Sequence, residues 1–321
     1  MDPVRSFSRQ DVNVTSELSR ETIISKIPVL SLKTKTSLIK SKNYLYNKTI
    51  TETVPSDIED PFLNIDINPF SNLSAYDLAS IDMFFNITGH NSGVLAPQLL
   101  KFQNYIISGT QDQGFIEYIQ YRNMISFVYF FESLKLKGNL MPDRINQIKN
   151  YDKFRYLNID YYINKVKNVD ISGIDVYVVQ DYKSDMELLY QVIMMTSTLK
   201  ENGHGIIKIE LSDFTIDLFS ILSNCFDNVS LFKPATIGLY NNTFYIIGRF
   251  YKKNKSNEII RFLRDFIKRG SYLDTIDRIL QERDKQINEY IDGIIELLVS
   301  ERAINVNYIP EKIKMYLNIS T

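Results

Sequence analysis

Few residues of this chain are of the types that carry chemistry alone. Its 321 residues include two histidines, His90 and His204, and one cysteine, Cys225. Neither a zinc cluster nor an internal disulfide can be built from these, and no metal site is expected. What remains are carboxylates and amines at particular places. Asp181 closes the apolar run Ile174–Gln180, and Lys208 lies in the run Ile206–Ile209. Asp181 reads either as a working carboxylate or as a strand-end turn former, and Lys208 either as a working amine or as a snorkelling residue paired with Asp181. Gly109 and Gly114 bracket the loop that follows Asn104–Ser108, where a missing Cβ lets a ligand approach the backbone. Asp112 in that loop and Glu132 after the next strand are further carboxylates near the same strand ends.

Charge is balanced overall, 37 Lys+Arg against 38 Asp+Glu, but unevenly spread. After Glu21 come Lys26, Lys33, Lys35, Lys40, Lys42 and Lys48 with no intervening acid. A second basic group comprises Lys252, Lys253, Lys255, Arg261, Arg264, Lys268 and Arg269, opposed only by Glu258 and Asp265. Each group reads as a surface for phosphate or a protein partner, or as a solvated face. The 44% hydrophobic and 23% charged fractions are those of a soluble globule. No apolar run reaches membrane-spanning length, and no apolar signal core follows Met1, so a cytoplasmic location is expected.

The elements that must position these groups are legible as periodicities. Asn104–Ser108, Ser126–Phe131, Ile174–Gln180, Ile206–Ile209, Val229–Phe232 and Thr243–Phe250 read as strands. Gly114–Asn123, Asp185–Lys200 and a segment opening at Asp213 read as helices, and Gly203-His204-Gly205 as a turn. Strands without polar alternation, each followed by a helix, predict an α/β fold with a mostly parallel sheet covered on both faces. Ligands of such sheets sit beyond the carboxyl ends of the strands. Residues 1–55 read as a basic arm, 56–252 as the α/β domain and 253–321 as a helical extension, with amphipathic stretches at Glu258–Lys268 and Leu273–Arg302.

In order, GFIEYIQYRN, VYVVQD, GHGIIKI, FDNVSLFKP and NNTFYIIGRF resemble the FtsJ/RrmJ-type ribose 2′-O-methyltransferases, in the viral and eukaryotic branch that methylates mRNA caps. That family reads PGGFxEYxxWR after its first strand, then a strand ending in Asp, then GGxxxxK, then FKPxxSRxxNSExY. The matching pieces here are Gly114 to Tyr118 with Arg122, Asp181, Gly203 to Lys208, Phe232-Lys233-Pro234, and Asn241 with Tyr245. The resemblance implies a Rossmann-like methyltransferase fold with a final antiparallel strand.

The resemblance also implies a Lys–Asp–Lys–Glu set that positions and deprotonates a ribose hydroxyl. Asp181 and Lys208 match its second and third members, whereas Asp77 and Thr243 stand where Lys and Glu belong. The family's glycine-rich loop for S-adenosylmethionine is here Ser108–Gly114: Gly109 follows the strand, only Gly114 remains of the paired glycines, Pro is absent, and Gln113 stands where close approach is needed, while Asp112 or Glu132 would contact a ribose or an amine if the nucleoside binds. No cofactor is therefore expected, or S-adenosylmethionine if the chain is active. Degenerate relatives are exemplified by the stimulatory small subunit of poxvirus mRNA capping enzyme, to which Asp181-Tyr182-Lys183 and Ile206-Ile207-Lys208 are similar.

Three functions follow as expectations. The first is a non-catalytic methyltransferase-fold subunit of a viral-type mRNA capping or cap-methylating complex, with a catalytic subunit as partner and capped RNA as a second one. The second is an active cap 2′-O-methyltransferase. The third is an RNA-binding or virion scaffold protein. Lys33, Lys35, Lys40, Lys42, Lys252, Lys253, Arg261 and Arg264 are the expected RNA or partner contacts. A viral origin would place the chain at a replication site or in the virion.

Overall fold

The structure is a computed structural model, and it describes residues 7–8, 70–72, 74–89, 102–109, 113–130, 142–147, 173–210, 213–234, 236–237 and 243–269. The segment Leu273–Arg302, nearly all of the N-terminal arm, and Asp112 and Glu132 lie outside these residues.

Eight strands form one sheet: β1 (Phe7–Ser8), β2 (Asn104–Ser108), β3 (Phe127–Phe130), β4 (Ile145–Gln147), β5 (Ile174–Val179), β6 (Leu199–Glu210), β7 (Phe226–Phe232) and β8 (Thr243–Tyr251). Their spatial order is β4-β3-β2-β5-β6-β8-β7-β1. From β4 to β6 all neighbours are parallel, and β8 lies antiparallel between β6 and β7. β1 adds an antiparallel edge, Phe7 opposite Val229. The order reverses between β2 and β5, the usual place for a ligand crevice. This is the Rossmann-like methyltransferase arrangement, with the antiparallel strand that the resemblance implied.

Helices α1 (Ser74–Phe85) and α2 (Gly114–Arg122) belong to one face, and α3 (Asp185–Thr198), α4 (Asp213–Cys225) and α5 (Lys253–Arg269) to the other. Period-2 alternation divides each strand between two cores: Tyr105 and Ile107 join the α1/α2 core, while Ile106 joins the α3/α4/α5 core. Both faces are covered, which is why these strands read as continuous apolar runs. α3 starts where Ser184 accepts a hydrogen bond from Glu187 N at 3.2 Å, and Glu187 returns one by accepting from Lys183 N at 2.8 Å.

Three expectations need correction. Gly203-His204-Gly205 is not a turn between elements, because β6 runs through it. β6 bulges against β5, so that Ile174 faces Leu199 while Val176 faces His204, and Asn202 takes up the excess at φ 63°. β7 begins at Phe226, three residues before the expected Val229. α5 begins at Lys253, five residues before the expected amphipathic stretch, and packs against α3 and α4 through Ile259 and Leu263. Among the described residues no helix is long and apolar enough to cross a membrane.

Candidate functional site

At the carboxyl ends of β2, β5 and β6 and the start of β8 lies a cleft of about 530 Å³. It is lined by Gly109, Gln180 to Asp185, Lys208 to Glu210 and Thr243. Three of the four positions singled out by the resemblance, Asp181, Lys208 and Thr243, thus share one cleft at the switch point of the sheet. Lys208 stands opposite Tyr245 in the β6–β8 ladder and Glu210 opposite Thr243, so all four residues lie on the α1/α2 face.

The expected Lys208–Asp181 ion pair is not formed. Among the described residues no carboxylate lies within 4 Å of the Lys208 ammonium. The Asp181 carboxylate instead accepts a hydrogen bond from Tyr182 N at 2.8 Å, shaping the exit of β5. Tyr182, Asp185 and Glu210 complete the lining, and none was expected as a site residue. Burial holds the Tyr182 phenol above its ordinary pKa, with the Asp185, Glu210 and Asp181 carboxylates acting in the same direction. Burial also raises the Asp185 carboxyl. The cleft therefore gathers three carboxylates, two lysines and a phenol, a polar site that can accept amine and hydroxyl groups. It lacks the Lys–Asp pairing that would orient a general base.

Asp77 does not join the cleft lining. It is buried in α1, where its carboxylate accepts hydrogen bonds from the Tyr245 hydroxyl at 2.7 Å and from the Thr236 hydroxyl. It clamps α1 to β8 and to the turn after β7.

The two expected cofactor glycines part company. Gly109 lines the cleft at φ 68°, and a Cβ there would run into the Asp181 carbonyl, so glycine is required for the backbone crossing. At Gly114 a Cβ would run into Ser74 Oγ and come within 2.7 Å of Ala75 N. That space is filled by α1, and Gly114 serves helix packing. The Gln113 side chain turns to Ser71 Oγ, donating at 3.1 Å, and to the Glu117 carboxylate. At Gln113 and Gly114 the space that the resemblance implies for the methionine part of S-adenosylmethionine is occupied by protein, while Gly109 stays open to the cleft.

Arg122 is fully buried and pairs with Asp82 at 3.7 Å. Asp82 also accepts from Thr88 N, Thr88 Oγ1 and Tyr118 OH, each at 2.7 Å. Lys252, expected to contact RNA or a partner, is engaged by Asp227 at 3.1 Å and Glu201 at 3.8 Å. Lys253 and Arg261 are exposed, and Arg264 is half-buried. Lys233 lies 4.6 Å over the Phe244 ring, and burial lowers its ammonium to about 7.

No protein-family model and no curated protein sequence matches the chain. Among solved structures it is similar to a putative ribosomal RNA methyltransferase from Plasmodium falciparum, at 16% identity and TM-score 0.44 over 56% of this chain and 97% of that one. It is also similar to the fibrillarin pre-rRNA processing protein of Methanococcus jannaschii, at 14% identity and TM-score 0.36 over 48% and 69% of the two chains. Human methyltransferase-like protein 13, in complex with SAH, matches at 11% identity and TM-score 0.37 over 73% and 96%. These likenesses are of outline; the fold itself is established by the strand order.

Proposed function

We propose that this chain is a non-catalytic subunit of methyltransferase fold that stimulates or scaffolds a catalytic partner in mRNA capping or cap methylation. The observation that carries the reading is Asp77. At the position where the resemblance assigns a catalytic lysine, the chain has an acid, and both its oxygens are engaged by Tyr245 and Thr236. Thr243 supplies no charge, and Lys208 has no carboxylate beside it among the described residues. In this reading S-adenosylmethionine is not a resident cofactor, consistent with the filled space at Gly114. Lys253 and Arg261, which stay exposed on α5, are the cations through which capped RNA would be met.

One observation favours an active S-adenosylmethionine-dependent 2′-O-methyltransferase instead: Asp181 and Lys208 still share a cleft. Titration of S-adenosylmethionine into the full chain, together with methyl transfer to capped RNA, separates the two readings. The subunit reading expects no saturable heat and only background transfer. Micromolar affinity, about −8 kcal/mol, or transfer abolished by Lys208→Ala at an unchanged thermal midpoint, overturns it.

A further inference from the structure

The three large apolar side chains exposed among the described residues are Phe250 at 40%, Phe102 at 46% and Met124 at 51%. All three lie at the same end of the sheet. Phe102 precedes β2, Met124 precedes β3, and Phe250 stands at the finish of antiparallel β8, so each is at the amino end of the parallel strands, opposite the cleft. Four strand spacings separate β8 from β3, so the apolar line extends about 19 Å.

Phe250 is held out by its backbone. Its φ of 59° lies in the left-handed region, which bulky side chains rarely adopt and which persists only where the surroundings impose it. Its ring meets the His204 ring edge-on at 5.6 Å, and the Arg249 guanidinium lies 5.7 Å from its centroid and 5.4 Å from that of Phe85. Lys253 is exposed on α5, and the other nearby lysines are matched, Lys200 by Asp175 and both Lys252 and Lys255 by Asp227. Arg249 is not: among the described residues no carboxylate lies within 4 Å of it, and its buried Nε has no acceptor. Burial and the Arg249 charge keep His204 neutral at pH 7, with its pKa lowered to about 4, so Arg249 is the positive centre of this patch.

We infer that this end of the sheet docks a protein partner, with Phe250 as the apolar anchor and Arg249 receiving a carboxylate from an acidic, apolar-flanked segment of that partner. An arginine between the rings of Phe85 and Phe250, beside an exposed aromatic side chain, is the composition of a protein–protein hot spot. A nucleic-acid surface needs a row of unmatched cations, and here, among the described residues, only Arg249 and the exposed Lys253 stand without a carboxylate within 4 Å. The inference rests on the reading of the chain as a subunit and assigns the face it presents.

The test uses the full chain, labelled with 15N-arginine, and the amidated peptide acetyl-Glu-Leu-Phe-Glu-Leu as probe. The Arg249 Nε–H resonance should shift saturably, with affinity reduced about tenfold by Phe250→Ala or by a peptide carrying Gln for both Glu residues. Arg249→Gln, measured by peptide fluorescence anisotropy, should bind as weakly as Phe250→Ala. An unmoved resonance, equal binding by Phe250→Ala, or displacement of the peptide by a single-stranded RNA dodecamer overturns the assignment. Sedimentation shows whether a second copy covers the face: a wild-type dimer that Phe250→Ala makes monomeric also overturns it. The peptide measurement needs no methyltransferase partner. Its failure therefore leaves the subunit reading standing, and detection of methyltransferase activity in the chain alone leaves the peptide result standing.

Discussion

Replacing Asp77 by alanine should cost far more stability than activity. Its carboxylate accepts from the Tyr245 hydroxyl at 2.7 Å and from the Thr236 hydroxyl, and Tyr245 has no exposed surface. Two hydrogen bonds to a charged acceptor are lost, and a buried phenol is deprived of this partner, for a total of about 3 kcal/mol. Asp77→Asn keeps one carbonyl oxygen and should cost about 1 kcal/mol. Tyr245→Phe, which also removes the donor that alanine would strand, should cost about 1 kcal/mol, and the double variant less than the sum, with a coupling of about 1–2 kcal/mol. The assay is urea denaturation. With a slope near about 3 kcal/mol/M, Asp77→Ala should lower the midpoint by about 1 M at unchanged slope. Asp77→Lys, which restores the sign implied by the resemblance, should be at least as destabilising, because an ammonium would have to be buried against two hydroxyls. It should restore no methyl transfer. A midpoint unmoved by both Ala and Lys would refute the argument, since it would mean that position 77 faces solvent or the cleft.

Three further outcomes are expected. Lys233 has a folded pKa of about 7 against 10.5 for the free side chain, so the unfolded state binds more protons between those values and its contribution makes stability rise with pH across that window. Lys233→Met should therefore stabilise the chain by about 2 kcal/mol at pH 6 and by little above pH 11, as read from denaturation midpoints at both pH values. Arg122→Met leaves the Asp82 carboxylate buried without its cation and should cost about 3–5 kcal/mol by the same measurement; a loss below about 1 kcal/mol would show that the pair is unimportant. Gly109→Ala meets both a positive φ and the Asp181 backbone, and should lower the thermal midpoint by several degrees, an effect of about 2 kcal/mol; an unchanged midpoint would show that the crossing relaxes freely.

How much of this was legible from sequence differs by the kind of constraint involved. Strand β2 has the expected bounds Asn104–Ser108 because burial on both faces produces an uninterrupted apolar run, a signal carried entirely by local residues. β6 was cut short because its glycines looked like turn formers, whereas a Cβ at Gly205 would press on Met195 and Phe226 from neighbouring elements. Arg122 is instructive in the same way. Helical spacing from Phe115, Tyr118 and Ile119 put it on the inner face, while its charge argued for the surface, and the deciding residue, Asp82, is forty positions upstream. Asp181 and Lys208 come together as positions toward the carboxyl ends of neighbouring parallel strands must, and Thr243 joins them because antiparallel β8 starts at that end. Asp77 could not be placed by such reasoning, because its orientation is set by a hydroxyl on β8, far along the chain.

The geometry also constrains how such a subunit could act. β8 carries Thr243 at the cleft and Phe250 at the opposite end, seven residues apart, which in an extended strand is about 24 Å. β6 likewise carries Lys208 at one end and His204 toward the other. The segment of a partner that grips Phe250 and Arg249 is therefore too far away to receive a proton or a hydrogen bond from Lys208 or Asp181. Stimulation from that face must arise in the partner itself, by selecting its competent conformation, and its size is bounded by the difference in affinity for the two conformations. That requirement places no demand on the cleft. A fold used in this way can vary the charges that line the cleft, while the sheet that holds Phe250 outward must be kept.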